Sequence, residues 1–243
     1  MKTKIVYEDK EILVVQKPAG LATQTARIGQ PDVVSELKGY LADRQRKSMQ
    51  GKTMPARGEI YLGIVHRLDQ PVEGLLVFAK TKPAAAALTK QLSSGILNKQ
   101  YYAVICGKPL SKEGQLVDYL MKEDNLAKVV TGQPSQSAQA KKAVLQYRIL
   151  QEISTPVQLS LAEIHIETGR FHQIRVQMSH GGMTLLGDAK YGNEQTLEQA
   201  RQLGIRQVAL CAYSLTFQHP VTGKQLTFEI KPVGKAFAYF HWE

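Results

Sequence analysis

The sequence predicts an α+β fold, because its strand-like segments are many and short and its helix-like segments interrupt them irregularly. No regular strand–helix–strand series runs through it. Ile5 to Tyr7 and Ile12 to Gln16 read as two strands about the polar turn Glu8-Asp9-Lys10-Glu11, and Lys17-Pro18-Ala19-Gly20 ends the second. From Pro31 the apolar positions Val33, Val34, Leu37 and Leu41 recur at helical spacing, predicting an amphipathic helix over residues 31–43. Residues 44–57 hold five basic side chains and no acidic one, and Gly51 and Pro55 break any period, so a basic loop is expected there.

Leu75 to Ala79 reads as a strongly apolar strand, followed by an Ala-rich helix from Pro83 to Leu92 that Gly95 is placed to end. Tyr101 to Cys106, Leu116 to Leu120, Ala143 to Leu150 and Val157 to Ile166 read as further strands, with a small, polar loop over 131–142. Phe171 to Ser179 reads as a short helix stopped by Gly181-Gly182. A helix over 196–203, strands over 207–218 and 225–230, and an aromatic tail of Phe237, Tyr239, Phe240 and Trp242 complete the series. No repeat or low-complexity linker divides the chain, so residues 1–243 are read as a single domain.

Composition narrows the partner. Lys and Arg outnumber Asp and Glu by 31 to 21, a net charge of +10 that suits a polyanion, although solubility or an anionic membrane would also use it. Cys106 and Cys211 are too few and too far apart for a thiolate zinc cluster or a disulfide framework, and both read as small buried residues. His165, His172 and His180, spaced by seven and eight, fit no zinc signature. Neither a GxxxxGK nor a GxGxxG loop occurs. With no signal-like or membrane-length apolar run, a cytoplasmic protein without a membrane partner is expected.

Two stretches carry the candidate chemistry. In Val65-His66-Arg67-Leu68-Asp69-Gln70-Pro71, a lone carboxylate precedes a Pro-containing turn that feeds the apolar strand. Loops held by rigid strands are where chemistry concentrates, but an Asp in a turn more often only folds back on its own backbone. The second stretch is Thr168-Gly169-Arg170-Phe171-His172-Gln173-Ile174-Arg175, followed by Gly187-Asp188-Ala189-Lys190-Tyr191-Gly192. With Lys17-Pro18-Ala19-Gly20, Lys99-Gln100-Tyr101 and Leu215-Thr216-Phe217-Gln218-His219-Pro220, these blocks resemble, in order, those of the RluA-type pseudouridine synthases over nearly the whole chain.

The resemblance implies a mixed, largely antiparallel sheet with flanking helices and loops and a central active-site cleft, here without the extra N-terminal RNA-binding module of some members. It implies an isomerase that turns specific uridines of tRNA or ribosomal RNA into pseudouridine with no cofactor and no metal. Asp69 then corresponds to the catalytic carboxylate, as nucleophile or proton acceptor. Arg175 corresponds to its arginine partner, and Tyr101 to the tyrosine against the target base. Arg67 corresponds to the side chain that helps fill the space left by the extruded uridine. His66, Arg170, His172 and Gln173 are candidate RNA and loop-positioning contacts, with Lys17, Lys80 and Lys190 as further candidates. The basic loop is an RNA-contacting arm or a solvated connection. A monomer is the expected state.

Val72-Glu73-Gly74 stands where the family usually has Thr-Ser-Gly, and Leu210-Cys211-Ala212 where it often has Leu-His-Ala. The first change removes two hydroxyls and adds an acid beside the active loop, which bears on substrate choice. Two other readings stay open: a non-catalytic RNA-binding protein or RNA chaperone on the same scaffold, and a phosphate hydrolase using Asp69. The latter lacks an accompanying carboxylate cluster.

Overall fold

The computed structural model describes residues 1–27, 29–48, 60–131 and 139–242. In chain order the elements are β1 (Lys4–Glu8), β2 (Ile12–Lys17), α1 (Val33–Ser48), β3 (Gly63–Ile64), β4 (Glu73–Ala79), α2 (Lys82–Ser93) and β5 (Asn98–Cys106). There follow β6 (Glu113–Glu123), β7 (Leu126–Val129), β8 (Lys141–Ile153), β9 (Leu159–Ile166), α3 (Gln173–His180), α4 (Glu194–Gln202), β10 (Leu210–Gln218) and β11 (Gln225–Glu229). A short 3₁₀ helix over Lys235–Tyr239 carries the aromatic tail. Strands interrupted irregularly by helices are the α+β class that the sequence predicts.

Contacts divide the chain into two compact units, Met1–Asn98 with Leu215–Ile230, and Lys99–Ser214 with Lys231–Glu243. In the first, β2 lies between β1 and β4 with antiparallel pairing on both sides, and β3 adds to the far edge of β4. Ile12 to Val15 and Leu75 to Ala79 are fully buried, which is why both strands read as continuous apolar runs rather than alternating ones. Ile12, Val14, Leu75, Val77 and Ala79 line one face of this sheet, and Ala84 and Leu88, one helical turn apart on α2, pack onto it. Each such large side chain contributes about 1.5–3 kcal/mol on burial. Thr81 caps α2 by accepting from the Ala84 amide, with Pro83 in the first turn.

In the second unit the antiparallel order is β5-β9-β8-β6-β7. Along β8, Leu145, Tyr147 and Ile149 turn inward while Gln146, Arg148 and Leu150 turn outward. Val176 of α3 packs against Leu120, Ala127 and Ala143 on the strands beneath it.

Three expectations change. Residues 44–48 continue α1 instead of opening a loop: Arg44 bonds Glu8 and Tyr40, and Arg46 bonds Asp43. The rest of the expected basic loop, 49–57, lies outside the described residues, as does most of the loop over 131–142. The single strand over Leu116–Leu120 is a longer β6 that returns through β7. Cys211 is buried as expected, but Cys106 is only partly so, its thiol pushed up to about 11 by the burial it has.

Candidate functional site: a turn-borne carboxylate and a buried arginine fork

Asp69 sits at the start of the turn that delivers the chain into β4, with the Val72 amide bonded to its carbonyl at 3.1 Å. The turn is held from the Lys17-Pro18-Ala19-Gly20 side. Gly20 N donates to Gln70 O (2.9 Å), Gln70 Nε2 returns to Gly20 O (3.1 Å), and Thr23 Oγ1 bonds both Leu68 O (2.9 Å) and Leu68 N (3.2 Å). Leu68 and His66 point inward and Arg67 outward, while Asp69 is partly exposed. A carboxylate on a loop pinned to a fully buried strand is positioned without being sealed off.

Lys17, expected above as an RNA contact, has another role here. Its side chain is 0% exposed and its Nζ donates to three carbonyls, Pro18 O (3.0 Å), Leu21 O (2.6 Å) and Gln70 O (3.0 Å). As an ammonium it sets three donors against three acceptors, and the last of these adjoins Asp69. Burial depresses its pKa to about 7, against the pull of the Asp69 and Glu73 charges. Glu73, the acid that departs from the family pattern, is itself 3% exposed in β4.

Lys17→Met keeps the apolar stem and leaves three carbonyls without that donor, at an expected cost of about 1–3 kcal/mol. The native pKa lies below the unfolded one, so between about 7 and 10.5 the unfolded chain binds the extra proton. This group's contribution therefore rises with pH across that window and is lost as pH falls through about 7. The margin of the wild type over Lys17→Met in urea unfolding should widen between pH 7 and pH 9, by at most about 1.4 kcal/mol per unit. A margin that stays flat or narrows contradicts this placement.

In the second unit, Tyr101 lies in β5 opposite Ile164 of β9 and is 5% exposed. Tyr102 takes the other face, stacked on Tyr213 at 3.6 Å with Trp242 edge-on at 5.1 Å, as strand alternation requires.

Arg175, on α3, forms a two-pronged pair with Asp188: Nε to Oδ2 is 2.8 Å and Nη2 to Oδ1 is 2.6 Å. The side chains are 4% and 1% exposed, so this is a desolvated fork with the geometry of the strong ion pairs. Asp188 Oδ1 also accepts from the amides of Lys190 (3.0 Å) and Tyr191 (3.2 Å), which closes the Gly187–Gly192 turn around it. Gly187 has φ +76, and a Cβ there would lie 2.4 Å from Gln207 O, so no other residue fits. The Tyr191 ring carries the Arg175 guanidinium 5.3 Å from its centroid.

The TGR-x-HQIR block is organised by Gln173. Its Oε1 accepts from Thr168 Oγ1 (2.8 Å) and Arg170 N (2.9 Å), and its Nε2 donates to Val144 O (3.0 Å), so it positions the loop from the inside. His172 caps α3 with φ 53, a left-handed conformation uncommon for a non-Gly residue. Its Nδ1 meets Tyr191 Oη at 2.8 Å, and the same hydroxyl accepts from Ala127 N at 2.8 Å. Arg170 is exposed and held by Nε to Lys142 O (3.0 Å). His66 is buried, its Nε2 accepting from Val77 N at 3.2 Å. Lys80 is drawn to Glu8 Oε1 (2.8 Å) and the Asp9 carbonyl, and Lys190 Nζ to Asn125 O (2.6 Å).

The first unit thus assembles Lys17, His66, Arg67 and Asp69 around one turn. The second gathers Arg170, His172, Gln173 and Arg175 along one loop and helix. Sequence reading missed Asp188 and Tyr191 as the holders of Arg175. The signal was present in the Gly-Asp-x-x-Tyr-Gly turn, but nothing local names its partner.

The family model for RNA pseudouridylate synthase matches residues 11–180. The chain is 35% identical over 232 residues to ribosomal large subunit pseudouridine synthase D of Zymomonas mobilis, covering 93% of this chain and 68% of that protein. It is 35% identical over 239 residues to the protein of the same name in Neisseria meningitidis serogroup B, of which it spans 58%. A structure titled human RNA pseudouridylate synthase domain containing 4 superposes with a TM-score of 0.72 at 24% identity, covering 97% of this chain and 92% of that one, and supports the fold. The chain therefore belongs to the RNA pseudouridylate synthase family. Within it, it is of the RluA type and an isomerase, an RNA pseudouridine synthase. Among the described residues, no helix is long and apolar enough to cross a membrane.

Proposed function

We propose that this protein isomerises specific uridines of ribosomal or transfer RNA with Asp69 as the catalytic carboxylate, acting as a monomer in the cytoplasm. The observation that carries the reading is the placement of Asp69, partly exposed on a turn that Lys17, Gly20 and Thr23 hold rigid. The names of the relatives favour large-subunit ribosomal RNA over transfer RNA.

In the reaction the bond between the ribose C1′ and uracil N1 breaks, the base turns over, C5 bonds to C1′, the C5 proton leaves and N1 takes up a proton. Asp69 either attacks C1′ or removes a ribose proton; both roles need it ionised and fixed. Arg175 is the proposed cationic partner that keeps it so, and its own orientation is secured by Asp188. Tyr101 is proposed to lie against the base and assist loss of the C5 proton. The exposed Arg67 fills the space vacated when the uridine swings out, a step that costs a few kcal/mol. The net charge of +10 supplies attraction to the phosphate backbone.

The test is a map of pseudouridines across ribosomal and transfer RNA from cells with and without the gene, with purified protein added back to the unmodified RNA. One or more sites should vanish with the gene and return with the protein. Identical maps, with salt-sensitive RNA binding retained, would turn the reading to an RNA chaperone.

A further inference from the structure

A pocket of about 540 Å³ opens on the second unit along the β6–β7 hairpin and the loop that precedes α3. Sites for small ligands run from about 300 to 1,000 Å³. Its floor is apolar, with Leu120 and Ala127 at 4% and 3% exposure, and its rim carries Lys122, Lys141 and Arg170. None of the described residues lining it is acidic, and Glu123 on the same hairpin is tied to Lys128. Phe171 stands at the edge, 40% exposed. The Lys122 ammonium lies 5.1 Å from its ring centroid, and the His172 imidazole stacks on it at 3.8 Å and 21°.

An exposed aromatic ring beside an apolar floor and three cations, without an acid, matches a flat heterocycle joined to a phosphate. We propose that this pocket is a nucleotide subsite for the RNA substrate, distinct from the reacting uridine: a base lies against Phe171 while its phosphate meets Lys122, Lys141 and Arg170. This rests on the RNA reading above and extends it to how the RNA is gripped. The ring is also the outer end of a column that runs inward through His172 and Tyr191 Oη (2.8 Å) to the Arg175 guanidinium (5.3 Å).

The experiment measures binding of a fluorescent oligoribonucleotide, intact or with one abasic position, to wild type, Phe171→Ala, Phe171→Trp and Lys122→Ala/Lys141→Ala. Turnover at saturating RNA is measured beside it. Phe171→Ala should weaken binding roughly 5- to 150-fold, with kcat held within about twofold, and Phe171→Trp should restore it. The loss should shrink on the oligonucleotide whose abasic position occupies the pocket. The lysine pair should reduce the slope of log affinity against log salt by about 1.4. Unchanged affinity in Phe171→Ala, or the same loss at every abasic position, overturns the subsite. Because binding is read apart from turnover, the two proposals fail separately. Wild type that binds through Phe171 but makes no pseudouridine sinks the enzymatic assignment alone, whereas full activity with unaltered binding in Phe171→Ala sinks the subsite alone.

Discussion

Asp69→Asn is expected to lower pseudouridine formation by at least about 10²-fold while the chain still folds. Asn keeps the size and the turn, whose 3.1 Å bond uses the Asp69 carbonyl and not its side chain. What it loses is the ionised oxygen. A positioned proton acceptor is worth about 10²–10⁴ in rate, and loss of a nucleophile costs more, so the size of the drop also separates the two roles. The same substitution removes a charge that pulls the Lys17 pKa upward, so Lys17 should release its proton below about 7 in the variant. Single-turnover assays on unmodified RNA, with thermal unfolding alongside, check both parts. Activity within tenfold of wild type would remove Asp69 from the chemistry.

The parts of the fold that were legible from sequence are those whose burial is unambiguous. Ile12 to Val15 and Leu75 to Ala79 are apolar throughout because both faces of β2 and β4 are covered, and a continuous run states that directly. The β6–β7 hairpin was not legible, since most of β6 is half- or fully exposed and its first residues, Glu113-Gly114-Gln115, carry no apolar alternation. The last turn of α1 failed likewise: Arg44 and Arg46 hold it by polar bonds to Glu8, Tyr40 and Asp43, and charged runs have no hydrophobic period.

The candidate site divides along the same line. Asp69 stands out because a motif surrounds it, but Lys17 looks like any surface lysine. Its burial follows from the pairing of β2 with β4, which sets it opposite Gly74 and above the Gln70 carbonyl. Type alone placed it with the RNA contacts, where a long cationic side chain usually belongs. Gln173 shows the converse: its three bonds make it the brace of a loop whose exposed members, Arg170 and Phe171, face solvent.

Asp188→Ala should be the most damaging single change away from the reacting carboxylate. It removes the fork from the Arg175 guanidinium, 4% exposed, and breaking one side of such a buried pair costs about 3–5 kcal/mol. The amides of Lys190 and Tyr191 lose their acceptor too, so the Gly187–Gly192 turn loosens in the same step. For a chain of this size that corresponds to a fall in Tm of roughly 10 °C. Asp188→Asn keeps an acceptor and the volume and should lose less, yet still removes the charge that the fork pairs with. Arg175→Met/Asp188→Leu removes both charges, and because a desolvated pair is not worth its constituents, the double variant should be more stable than Asp188→Ala alone. Thermal and urea unfolding of wild type, Arg175→Met, Asp188→Leu and the double variant measure the coupling. If the double variant is as unstable as the sum of Arg175→Met and Asp188→Leu, the two side chains act independently, and Asp188 is not what holds Arg175 in place.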